Sequence, residues 1–98
     1  MVSQRLVFSA HALQAMFGRG ISKADVQYVL ETGKTIEAYP EDQPYPSRLI
    51  LGWEGARPIH VVAADNLAEH ETIIITVYEP DRDRWEPGFE TRRRSWNV

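Results

Sequence analysis

At Gly33 the apolar pattern of this chain changes period, from a helical pair directly before it to a run of strands after it. Before it, Ser9 stands as the N-cap of a helix over about Ala10–Phe17, with Phe8 and Leu13 spaced as a hydrophobic staple. Gly18 and Gly20 flank Arg19 and break that helix. Ser22 caps a second helix, with Asp25 in capping-box position and Ile21/Val26 as its staple. Val26, Val29 and Leu30 form one apolar stripe, and Gly33 is the expected C′ stop.

After Gly33 the residues alternate. Lys34–Tyr39 reads as a strand, and Pro40, Pro44 and Pro46 make a rigid loop that cannot be helix. Ser47–Trp53 and Ile59–Asp65 read as strands joined by the turn Glu54-Gly-Ala-Arg-Pro58. A polar turn follows, then Thr72–Tyr78, which is the clearest strand and ends before Pro80. Arg5–Phe8 reads as a short strand ahead of the helices. Short links between consecutive strands favour antiparallel pairing. The expected fold is α+β: an N-terminal helical hairpin packed on one face of a three- to four-stranded antiparallel sheet. Residues 1–84 form the expected domain, and 85–98 a basic, aromatic tail carrying Trp85, Phe89, Arg92-Arg-Arg94 and Trp96.

A chain of 98 residues holds one small core and one site, which excludes a nucleotide-binding fold with a separate substrate domain. It has no cysteine, so disulfides, iron–sulfur clusters and thiol nucleophiles are excluded together. No apolar run approaches the roughly 20 residues that cross a bilayer, and no signal-peptide pattern opens the chain, so the expectation is a cytoplasmic protein off the membrane. The net charge of −3 is uneven. The acidic excess lies in residues 41–81 and the end is basic, with nine Arg among the eleven basic residues. A net acidic chain that touches RNA must do so through a local arginine cluster.

Alternation assigns two sheet faces. Leu49, Leu51, Trp53, Ile59, Val61, Ala63, Ile73, Ile75 and Val77 are expected under the helices. The other face is mixed, with Arg48, His60, Thr76 and Tyr78 around an apolar centre of Ile50, Val62 and Ile74. A group that titrates near neutrality, a fixed cation and two hydroxyls suit a phosphodiester. Each also has an ordinary reading as packing. His11, in the first turn of the first helix, and Arg19, at the corner between the helices, complete the candidate set. His60 has no second ligand at metal-binding spacing, and no phosphate-cradling glycine loop appears, so neither metal nor cofactor is expected.

Ser9-Ala-His-Ala12, Arg19-Gly-Ile-Ser22, Gly52-Trp53, His60-Val-Val62, Ile75-Thr-Val-Tyr78-Glu-Pro80 and Trp85 are similar, in order and spacing, to an uncharacterised bacterial domain family catalogued as a domain of unknown function. The resemblance covers nearly the whole chain. That family in turn resembles the small ribonuclease toxins of the RelE, BrnT and MqsR kind, with a RelE- or barnase-like fold whose open sheet face holds the site. It implies RNA as a partner, and a small antitoxin-like protein as another. His11, Arg19, His60, Thr76 and Tyr78 are the polar positions it matches.

Two functions of different class follow. One is a metal-independent endoribonuclease, the toxin of a toxin–antitoxin pair. Its RNA 2′-hydroxyl attacks the phosphodiester, His60 and His11 act as acid and base, Arg48 and Arg19 hold the charged phosphate, and Tyr78 and Thr76 position it. The other is a non-catalytic module that docks a partner protein through the same face. A homodimer formed over that apolar centre is a third arrangement.

Overall fold

The computed structural model describes residues 4–94. Its elements are β1 (Arg5–Phe8), α1 (Ala10–Arg19), α2 (Lys23–Thr32), β2 (Lys34–Tyr39), β3 (Ser47–Glu54), β4 (Arg57–Asn66), a single 3-10 turn (Leu67–Glu69) and β5 (Glu71–Tyr78).

The helix limits follow from local chemistry. The Ser9 hydroxyl accepts the Ala12 N–H at 3.0 Å and starts α1. Gly20, at φ +65°, stops it in the left-handed region. Ser22 and Asp25 close a reciprocal capping box at the start of α2, with bonds of 3.0 and 2.9 Å. Gly33 ends α2 for a different reason from the one expected. Its φ of −82° is ordinary, but a Cβ there would lie 2.5 Å from the Leu51 carbonyl oxygen. A Cβ on Gly52 would likewise lie 2.8 Å from the Val29 side chain. The two glycines let α2 lie directly on β3.

The sheet corrects the expectation of three or four antiparallel strands in a RelE- or barnase-like arrangement. It has five strands in the order β1-β5-β4-β3-β2, and it is mixed. β1 pairs parallel to β5, from Arg5 opposite Glu71 to Phe8 opposite Ile74, while the other pairs are antiparallel. A parallel partner needs a long crossover. Here that crossover is most of the chain, so no local signal announces the pair.

The assignment of faces is corrected as well. The helices bury Ala12, Ala15, Met16, Val26 and Val29 against Ile50, Ile59, Val61, Ala63, Ile74 and Val77. Cross-strand register explains the set: Ile50 lies opposite Val61, and Val61 opposite Val77. Leu49 and Leu51 lie opposite Val62 and His60, on the other face. In β5 the register shifts between Val62/Ala63, leaving Ile75 as an extra residue, so side-chain parity inverts along the strand. That second face is not open. The segment after β5 folds over it and seats Trp85, only 3% exposed, against His60, with ring centroids 4.5 Å apart.

Candidate functional site

His60 projects from the middle of the sheet and is fully buried. Its Nδ1 lies 3.2 Å from the Tyr78 hydroxyl, directly across the β4–β5 pair. Its Nε2 lies 2.9 Å from the backbone carbonyl of Phe89. The segment that brings that carbonyl is a closed turn. Trp85 bridges Arg92, the Glu86 N–H donates to the Thr91 carbonyl at 2.8 Å, and Gly88 and Phe89 both adopt positive φ. The Phe89 ring meets Trp53 edge-on at 6.0 Å. Burial lowers the His60 pKa, and the Arg92 charge pushes the same way against the opposing Phe89 hydrogen bond, so the imidazole is neutral at pH 7. Burial raises the Tyr78 pKa, which keeps the phenol protonated.

In front of Tyr78 opens a cleft of about 310 Å³ lined by Arg19, Tyr78, Glu79, Asp81, Arg84, Trp85 and Arg92. Arg19 from the end of α1 and Arg84 and Arg92 from the segment after β5 therefore line the same cleft as Tyr78. Arg92 is spoken for: it pairs with Glu37 at 3.3 Å and lies 4.7 Å over the Trp85 ring. Glu79 pairs with Arg57 at 3.1 Å, and Asp81 accepts the Asp83 N–H at 2.8 Å. Arg19 and Arg84 have no ion-pair partner among the described residues. Their forks are free to receive an anion. Arg57 fixes the corner from which Arg19 reaches, donating to the backbone carbonyls of Arg19 at 2.6 Å and Gly20 at 3.2 Å.

Of the six residues singled out in the sequence, Arg19 and Tyr78 line this cleft, and His60 lies behind it. Thr76 precedes Tyr78 by two positions on β5, about 7 Å along the strand. His11, exposed at the start of α1, places Nε2 3.1 Å from the Thr76 hydroxyl. Arg48 is elsewhere. It sits on the helix-covered face, opposite Ala63, and binds Asp65 through contacts of 2.8 and 3.3 Å. Thr72 donates to the same carboxylate at 3.0 Å. Burial alone would raise the Asp65 pKa, but the Arg48 contacts and the Thr72 hydroxyl outweigh it and hold the carboxyl below its ordinary value. Arg84, Arg92 and the Phe89 carbonyl were not among the residues expected. Their signal was Trp85 and Phe89, two large apolar rings in an otherwise charged stretch, which mark anchors against a core. Trp96 lies outside the described residues.

Among the described residues no three of His, Cys, Asp and Glu cluster to hold a metal, and no helix is long and apolar enough to cross a membrane. A search of curated proteins and a search of solved structures both return no significant match. The domain family described as "Domain of unknown function (DUF4258)" matches residues 8–79, a span that holds His11, Arg19, His60, Thr76 and Tyr78 and stops short of Arg84 and Arg92. This chain belongs to the DUF4258 family.

Proposed function

We propose that the protein is a metal-independent endoribonuclease that binds the scissile phosphate in the cleft before Tyr78, and that it serves as the toxin of a toxin–antitoxin pair. The observation that carries this reading is the pair of unpartnered guanidiniums, Arg19 and Arg84, set beside one hydroxyl. Two planar forks suit a dianionic pentacoordinate phosphate, whose charge grows in the transition state. The 2′-oxygen forms a bond to phosphorus while the bond from phosphorus to the 5′-oxygen breaks, leaving a 2′,3′-cyclic phosphate and a 5′-hydroxyl. The 2′-hydroxyl proton passes to His11, exposed beside Thr76, and from His11 to the departing 5′-oxygen. His60 has both nitrogens engaged and acts only through Tyr78.

The test uses end-labelled RNA in EDTA. The expected result is cleavage with 2′,3′-cyclic ends by wild type, lost in Arg19→Ala/Arg84→Ala, and growth arrest on expression that the same substitutions relieve. Wild-type protein that leaves RNA intact, both alone and with ribosomes, overturns the reading.

A second reading, a module that docks a partner protein, is favoured by α1. Leu13 and Phe17, one helical turn apart, are 42% and 91% exposed. A stoichiometric complex with the antitoxin-like partner, lost in Phe17→Asp, together with no effect on RNA, decides for it.

A further inference from the structure

The contacts of His60 fix where its protons are. The Phe89 carbonyl can only accept, so Nε2, at 2.9 Å from it, carries a hydrogen. A neutral imidazole has one N–H, so Nδ1 is bare and can only accept. The Tyr78 hydroxyl, 3.2 Å from Nδ1, is therefore the donor of that bond. A phenol has a single hydrogen. With it turned toward His60, the Tyr78 oxygen has only lone pairs left to offer a ligand in the cleft that Tyr78 lines.

Such an oxygen repels a phosphate and cannot protonate a leaving group. What it can bind is a hydrogen-bond donor, and on a phosphate ester the donor to hand is a hydroxyl. Arg19 and Arg84 supply the anion site on the same cleft. An anion and a hydroxyl on adjacent atoms are what RNA carries and DNA lacks. We propose that His60 is a positioning residue that turns Tyr78 into an outward-facing acceptor, and that this acceptor takes the ribose 2′-hydroxyl next to the phosphate held by Arg19 and Arg84, making Tyr78 the residue that selects RNA over DNA. This rests on the cleft being the phosphate site of the proposed ribonuclease. Trp85 and Phe89 enter as the clamp that holds the imidazole in the required tautomer.

The test has two parts, both on the full chain. Side-chain nitrogen–proton NMR of ¹⁵N-labelled protein is expected to show His60 with Nε2 protonated and Nδ1 bare, the Nδ1 signal moving in Tyr78→Phe. The Nδ1–H tautomer, or an imidazolium at pH 7, overturns the proposal. Binding is then read with adenosine 3′-monophosphate and its 2′-deoxy analogue, which hold the phosphate and differ in the one hydroxyl, and which contain no bond to cleave. Wild type is expected to prefer the ribonucleotide by about five- to tenfold, the worth of one such hydrogen bond. Tyr78→Phe is expected to bind both at the deoxy affinity, and Arg19→Ala to weaken both alike. His60→Asn, whose side-chain oxygen can stand in for Nδ1, keeps the preference, while His60→Leu loses it. Equal binding of the two nucleotides by wild type overturns this inference and leaves the phosphate site standing. Binding of neither overturns the phosphate site and this inference with it.

Discussion

Toward one end of β4, Arg48 meets Asp65 through two hydrogen bonds, and Thr72 supplies a third to the same carboxylate. Toward the other, Arg19 and Arg84 line the Tyr78 cleft beside Glu79 and Asp81, with no ion pair of their own among the described residues. The ingredients are alike: arginine, a hydroxyl and a titratable group near the sheet. The difference is saturation. At the Arg48 end the guanidinium already has its carboxylate, so the cluster's charge is matched inside the protein and it fixes strands. At the Tyr78 end the inner bonds of His60 are complete while the outer guanidiniums are not. A composition search finds both clusters, and only the hydrogen-bond partners tell a structural one from a receptive one.

The largest expected effect breaks the receptive end alone. Arg19→Ala/Arg84→Ala is expected to cut RNA cleavage by about 10²–10³-fold, as loss of a transition-state charge partner does. The same protein is expected to melt within about 0.5 kcal/mol of wild type, since both side chains are exposed. Arg48→Ala is expected to reverse the pattern. It leaves Asp65 without its cation, with Thr72 still donating to it, and lowers stability by about 1–2 kcal/mol in urea unfolding, with cleavage intact. Cleavage lost in Arg48→Ala at full stability would join the two clusters into one site.

Acid sharpens the comparison, because the two ends give way in different ranges. His60 is held below its ordinary value of about 6.5 in the native state. The unfolded chain therefore takes up that proton first, and stability is whole above about pH 6.5 and falls below it, by at most about 1.4 kcal/mol per pH unit until the native value is reached. Asp65 is lowered from 3.8, so its contribution is present above that value and lost only as pH falls further. Trp85 fluorescence is expected to report loosening at the His60 end as pH falls below about 6.5, with the amides around Asp65 still protected from exchange. In His60→Asn that first step disappears. The smallest expected effect is Phe17→Asp, which touches neither cluster and shifts the melting free energy by less than about 0.5 kcal/mol. A larger loss would mean that α1 relies on that ring.

What the sequence made legible was what neighbours in the chain decide. Ser22 and Asp25 cap each other three residues apart, and the two residues Gly55 and Ala56 turn β3 into β4. What it hid was decided at a distance. Leu49, Ile50 and Leu51 are all buried, so β3 has no polar face from which to read its parity. The extra Ile75 inverts half of β5, and without the register it looks like any other strand residue. Tyr78 and Arg19 were legible as candidates because they stand out by type. Their partner Arg84 was not, since nothing periodic in residues 82–94 says that the segment folds back onto the sheet.

The β1–β5 pair has a consequence in time. Arg5 pairs with Glu71, 66 positions later. At about 5–20 residues per second of synthesis, β1 waits roughly 3–13 s for the strand that completes it. Through that interval the capped helices and the β2–β4 meander can assemble while one edge of the sheet stays vacant. The last strand pairs with both β4 and β1, and it carries Tyr78 to His60. Arg84 and Arg92 lie beyond β5 and close the cleft later still, so a nascent chain acquires its proposed activity only when the fold is complete.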